Sequence, residues 1–135
     1  MTFPMTREER LNNPGGIKRV PGVTWVGQTD DQPDKLFVQF STPQYGIRAI
    51  AHTLRTYWLK DGVTTVAQAI TRWAPPAENY TQAYINAVCP ECGVEPDEPV
   101  ELPVILFPLV RAIINHENGA VIYTDEVIQQ GIALP

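Results

Sequence analysis

The sequence predicts an α+β fold, mainly helical, with about five helices and one small β-hairpin. Two observations carry that expectation. Apolar residues recur at helical spacing in successive stretches after residue 43. Before residue 41, by contrast, two short stretches are rich in β-branched and aromatic types. Thirteen prolines punctuate these stretches, but apolar residues make up 44% of the chain and run through all of it, so the prolines imply rigid connections and not disorder. At 135 residues, the length fits a single domain, 1–135, able to bury a core.

Taken in order, residues 1–11 are polar and mixed in charge, an N-terminal arm or a short helix. Asn12-Asn13-Pro14-Gly15-Gly16 is a dense run of turn formers where the backbone must bend. Val23–Gly27 and Leu36–Phe40 are the β-rich stretches, read as a hairpin whose long tip holds Asp30, Asp31 and Asp34. Two strands alone are marginal, so the hairpin has to pack against helices. Ser41-Thr42-Pro43-Gln44 supplies a cap and a first-turn proline for a helix that keeps its spacing until Asp61-Gly62. A second helix starts at Thr64 or Thr65 and stops at Ala74-Pro75-Pro76, because the residue before proline disfavours helix. Asn79-Tyr80-Thr81-Gln82 has capping-box-like spacing for a third, over Ala83–Val88. Cys89–Pro103 reads as an acidic, proline-rich connection. Phe107–Gly119 is a buried helix ending at Asn118-Gly119, and Thr124-Asp125-Glu126 caps a last short one ending near Gly131.

Net charge −5 provides no basic footprint for nucleic acid. The longest apolar run, Val104–Leu109, is far short of a membrane span. MTFPMTREER has no apolar stretch after its charges, so no Sec signal peptide is expected. Cys89-Pro90-Glu91-Cys92 is a lone C-x-x-C at a helix end, without the further ligands zinc needs or the strand-to-helix setting of a redox pair. Neither metal nor cofactor is expected.

The residue that stands out chemically is Glu117. A carboxylate in the last turn of a helix lies beside partial negative charge, which raises the cost of ionising it, and burial raises it further. A carboxyl protonated near neutral pH is what a general acid requires. His116 beside it suits the helix dipole better than it suits a base.

The strings NNPGGIK, WVGQ, FVQFSTPQYGIRAIAHTL, RWAPPAENYTQAYI and AIINHENG, spread over positions 12–131, resemble a family of small bacteriophage proteins labelled virion structural proteins. Leu11 and Gly16 depart from that family's more usual opening. More distantly, Gly16-Ile17-Lys18, Trp25-Val26-Gly27, Phe37–Phe40, the helix from Pro43 and Trp73-Ala74-Pro75-Pro76 resemble, in that order, the lysozyme-like β-N-acetylglucosaminidases, with lytic transglycosylases cleaving the same type of bond. In those enzymes a helix ending in the catalytic Glu comes first. Here the helix of that character, AIINHENG, comes near the end, and a circular permutation would reconcile the two orders. The resemblance implies a lysozyme-like fold in a phage virion that acts at the host envelope, with peptidoglycan and other virion proteins as partners. It implies Glu117 as general acid, assisted by Asp30, Asp31 or Asp34, and Trp25, Trp73, Glu78, Tyr80 and Tyr84 as substrate-binding residues. The alternative is a catalytically silent plug, adaptor or wall-binding module on the same fold. The catalytic reading requires Glu117 to open into a groove beside the 28–35 tip. It also requires the Asn12–Gly16 turn to touch residues 116–120.

Overall fold

A computed structural model describes residues 4–135; the first three residues of the expected arm lie outside the described residues. The described chain is mainly helical. Its helices are α1 (Arg7–Arg10), α2 (Pro43–Lys60), α3 (Val66–Trp73), α4 (Thr81–Cys92), α5 (Leu102–Asn118) and α6 (Asp125–Ala133). Side-chain caps set several of the starts: the Thr42, Thr65 and Thr124 hydroxyls accept from Tyr45, Gln68 and Val127 N–H groups, and Thr65 with Gln68 forms a full capping box.

Helix α5 is the axis of the larger core. Leu109, Val110, Ala112, Ile113 and Ile114 are fully buried, and the helix packs on α4, α2 and α6. Ile47, Ile50 and Leu54 of α2, Val66 and Ile70 of α3, Ile85 and Val88 of α4, and Ile128 of α6 complete this core. Each such side chain contributes on the order of 1.5–3 kcal/mol by leaving water. A smaller cluster of Ile17, Val38, Phe40 and Ala49 lies under the N-terminal segments, and Trp73 packs against both clusters.

Three expectations about the elements need correction. The sequence reading starts the buried helix at Phe107, but it starts a turn and a half earlier at Leu102, because Pro103 sits where a helix has no N–H to lose. The third helix likewise runs past Val88 to Cys92, with Pro90 accommodated in its last turn and Gly93 closing it in the left-handed conformation. Its start carries no side-chain cap at Tyr80, so the capping box expected at Asn79–Gln82 is not formed.

The hairpin is the third correction: Val23–Gly27 and Leu36–Phe40 do not pair as two strands. The segment 36–40 is extended, but it forms an isolated antiparallel bridge with Lys18 through Phe37 and another with Gln28 through Phe40. Backbone bonds from Arg19 N–H to Leu36 O (2.7 Å) and from Val38 N–H to Ile17 O (3.0 Å) join its first half to 17–19, and bonds from Thr29 N–H to Gln39 O (3.1 Å) and from Ser41 N–H to Gly27 O (2.9 Å) join its end to 27–29. The physical reason is that the backbone groups of 36–40 are divided among several short segments and two side chains. Gln32 accepts from Gln39 N–H at 2.8 Å and donates to Gln39 O at 2.9 Å, as a strand neighbour would. Fully buried Asn13 accepts from Ile17 N–H and donates to both Ile17 O and Val38 O, all within 2.9 Å.

Candidate functional site

The site is assembled where the turn at 12–16 docks on the end of α5. Gly46 of α2 makes the docking possible: a side chain there would overlap the Asn12 carbonyl and Pro14. Asn12 takes the left-handed conformation (φ 54°) and donates to Phe40 O at 3.0 Å, anchoring the turn to the extended segment. From the helix side, Asn118 donates to Pro14 O at 3.0 Å, while its Oδ1 accepts from the Thr6 hydroxyl at 2.7 Å. The contact expected between residues 12–16 and 116–120 is therefore present in the fold. It leaves Glu117 facing Gly16, whose φ of +63° suits glycine. A Cβ on Gly16 would lie 3.7 Å from Glu117 Oε2.

Glu117 is half-buried, and its two oxygens have different surroundings. Oε1 accepts a hydrogen bond from the Tyr84 hydroxyl at 2.9 Å. Oε2 lies toward Gly16. Burial holds the carboxyl above the ordinary carboxylate range; the Tyr84 and Trp73 donors oppose that shift without cancelling it, and the nearby Glu8 charge adds to it. The same burial, with the Glu117 charge, pushes the Tyr84 proton well out of reach of titration, so Tyr84 acts only as a donor. His116 stacks on the Tyr84 ring at 3.8 Å between centroids, and burial lowers its pKa, which keeps it neutral at pH 7. It braces Tyr84 and is no acid–base partner of Glu117.

Glu117 borders two concavities. One, about 560 Å³, runs between the N-terminal segments and the helical body, lined by the Gly15–Lys18 strip, Trp25, Phe37, Trp73 and Glu78. The other, about 410 Å³, is lined by Glu78, Asn79, Tyr80, Tyr84 and His116. Lys18 pairs with Glu78 at 3.1 Å, tying the N-terminal side of the groove to the 75–80 loop; with both side chains more than half exposed, the tie is weak.

Of the residues picked out by sequence, Glu117, Trp25, Trp73 and Glu78 share the larger groove, and Tyr80 and Tyr84 join Glu117 in the smaller one. The three aspartates are elsewhere. Asp30 and Asp31 are exposed and line neither concavity. Asp34 is held by a two-pronged bond from Arg7 (2.7 Å each) and by Leu36 and Phe37 N–H groups (2.8 Å each), which keep its carboxyl well below the usual range. Asn13, Tyr84 as the donor to Glu117, and Gly16 as the left-handed residue facing it are contributions that spacing alone did not disclose.

Cys89 and Cys92 are free on the last turn of α4, with Cys92 pushed up to about 12 by burial and by the neighbouring Cys89 and Glu91 charges, so neither is an activated thiolate. Among the described residues no group of three or more His, Cys, Asp or Glu is placed to hold a metal ion, and no helix is long and apolar enough to cross a membrane.

No family model matches the chain. Over 125 residues it is 39% identical to Protein P5 of Pseudoalteromonas phage PM2, a match that covers 90% of this chain and 77% of that protein. Identity at this level over this much of both chains makes the sequence a member of the family of the phage PM2 Protein P5.

Proposed function

We propose that this chain is a virion-associated phage protein of lysozyme-like organisation that cleaves β-1,4-glycosidic bonds of peptidoglycan, with Glu117 as the general acid. The observation that carries the reading is the state of Glu117: a half-buried carboxyl at a helix end, raised in pKa, held on one oxygen by Tyr84 and open on the other toward a groove. Phage kinship supports the virion setting. In the reaction, the proton on Glu117 passes to the glycosidic oxygen, which leaves with the electron pair of the broken C1–O bond. The cationic sugar is closed by the oxygen of water or of one of the sugar's own hydroxyls, and the proton lost from that oxygen returns to Glu117. Trp25 and Trp73 wall the groove and Glu78, through Lys18, shapes its rim.

None of Asp30, Asp31 and Asp34 lines the groove, so no carboxylate from the 28–35 loop assists Glu117; the second carboxylate there is Glu78, which pairs with Lys18. The same observation supports the second reading, a catalytically silent virion component that retains the groove. Purified peptidoglycan separates the two. Wild type should release reducing ends or anhydro-muropeptides, and Glu117→Gln should release none. Release that survives the substitution removes Glu117 from the role; no release by the wild type leaves the silent component.

A further inference from the structure

The chain keeps its charges apart. Between Arg72 and Arg111 there is no Lys or Arg, and residues 91–101 alone hold five acids. Among the described residues only one of the five, Glu91, meets a cation, Arg111 at 4.0 Å. Glu95, Asp97, Glu98 and Glu101 are exposed and meet none. The backbone that carries them is nevertheless fixed. Glu98 N–H donates to Glu95 O at 3.3 Å, and the Glu98 carboxylate accepts from Glu95 N–H at 3.0 Å, closing a turn that contains Asp97. Ala67 N–H donates to Pro96 O at 3.0 Å and Val100 N–H to Thr64 O at 2.9 Å, which fastens the turn to the start of α3.

The N-terminal segments carry the opposite charge in a second concavity of about 480 Å³, which shares only Val20 with the groove at Glu117. Arg19 and Lys35 border it, and no Asp or Glu lines it. Its apolar lining comes from Val38, which is buried, and from Val20 and Val23, which are about half exposed. Among the described residues neither cation pairs with a carboxylate. The backbone here is fixed as well: Arg19 N–H donates to Leu36 O at 2.7 Å, and its guanidinium donates to Asp34 O at 2.9 Å.

A cationic hollow with valine walls and an acidic turn with an exposed proline, Pro99, are complementary, and the fold does not bring them together within one molecule. We infer that the hollow at Arg19 and Lys35 receives the 95–101 turn of a second copy of this chain. Both surfaces are already ordered, so docking sacrifices little conformational freedom. Used twice about a two-fold axis the contact closes a dimer; used once per copy it builds a ring or a filament. None of this depends on the chemistry assigned to Glu117.

Sedimentation velocity of the full chain at micromolar concentrations tests it. Wild type should associate at about 0.1 M salt, where charges act over about 10 Å, and separate at about 1 M, where they act over about 3 Å. Lys35→Glu and Asp97→Lys should each weaken association about a hundredfold, because like charges then face one another. Both positions are exposed, so both variants should melt with the wild type. Mixed in equal amounts, the two variants should associate again, since each then meets opposite charge on the other. A wild type that stays monomeric at low salt, or association that survives high salt and both reversals, overturns the inference. Reversals that abolish association without recovery on mixing show that the two surfaces are not partners, and overturn it too. A labelled peptide of residues 94–102 that binds a monomeric wild type replaces the second copy with an acidic segment of another protein.

Discussion

Replacing Glu117 with Gln should make the protein more stable at neutral pH, and the gain should vanish in acid. The carboxyl lies at the C-terminus of α5, where an anion meets the negative end of the helix, and burial removes part of its hydration. Its folded pKa lies above its unfolded one, so the folded state binds the proton more tightly. Stability from this group is therefore fully present below the unfolded pKa and is lost as pH rises through the folded one. Gln keeps the size and the acceptor for Tyr84 while removing the charge. A charge at a helix end is worth about 0.3–1 kcal/mol when exposed and up to about 2 kcal/mol when partly buried, so a gain of about 1 kcal/mol is expected here. For a chain of this length, that corresponds to a melting temperature higher by about 4 °C. Thermal unfolding followed by circular dichroism at pH 7 and again at pH 4 measures it. Wild type and variant should differ at pH 7 and converge at pH 4. A variant that melts below wild type at pH 7, or by the same margin at both pH values, would show that Glu117 is a structural anion and refute the argument.

Tyr84→Phe removes the donor that favours ionised Glu117, so the alkaline limb of the pH profile for glycan cleavage should move to higher pH. Gly46→Ala forces a methyl into the Asn12 carbonyl and Pro14, and should cost about 3 kcal/mol in urea unfolding, near the upper end for overpacking. Ile113→Ala empties a fully buried position at the centre of α5 and should cost about 2–5 kcal/mol in the same measurement. Arg7→Ala should destabilise at neutral pH, where Asp34 is ionised in both states but paired only in the fold. That difference should close as pH falls below the ordinary carboxylate range, because the depressed pKa gives stability only above it.

What could be read from residues alone divides along a physical line. Helices α2, α3 and α5 announce themselves because burial on one face leaves a period in the chain, and Thr42, Thr65 and Thr124 mark starts by a local mechanism. The misjudged ends of α4 and α5 both involve proline, whose effect depends on which turn it occupies. The hairpin failed for a less local reason. Val23 and Val26 are about half exposed despite their β propensity, and the backbone of 36–40 divides its bonds among the 17–19 and 27–29 backbone and the Asn13 and Gln32 side chains instead of one partner strand. No spacing rule foresees an asparagine 25 residues away standing in for a strand. Glu117 was legible because a helix end and a carboxylate are adjacent in sequence. Its hydroxyl partner was visible only as an aromatic, since the role of Tyr84 arises from α4 packing on α5. Asp34 looked free for chemistry until Arg7 was found against it.

The bonds from Asn118 to Pro14 and from Thr6 to Asn118 join residues 104 and 112 positions apart. During synthesis, the Gly15–Gly16 strip emerges first and has no carboxyl to face until translation has passed α5. The groove therefore forms late, after α5 has collected the helical core, and its closing step has the slow character of contacts distant along the chain. Cutting one surface loop between them, for instance near Gly93, should leave one fragment that carries the groove walls without Glu117 and another that carries Glu117 without the walls, the site returning only on reassociation. That would make complementation of split halves a direct readout of groove formation.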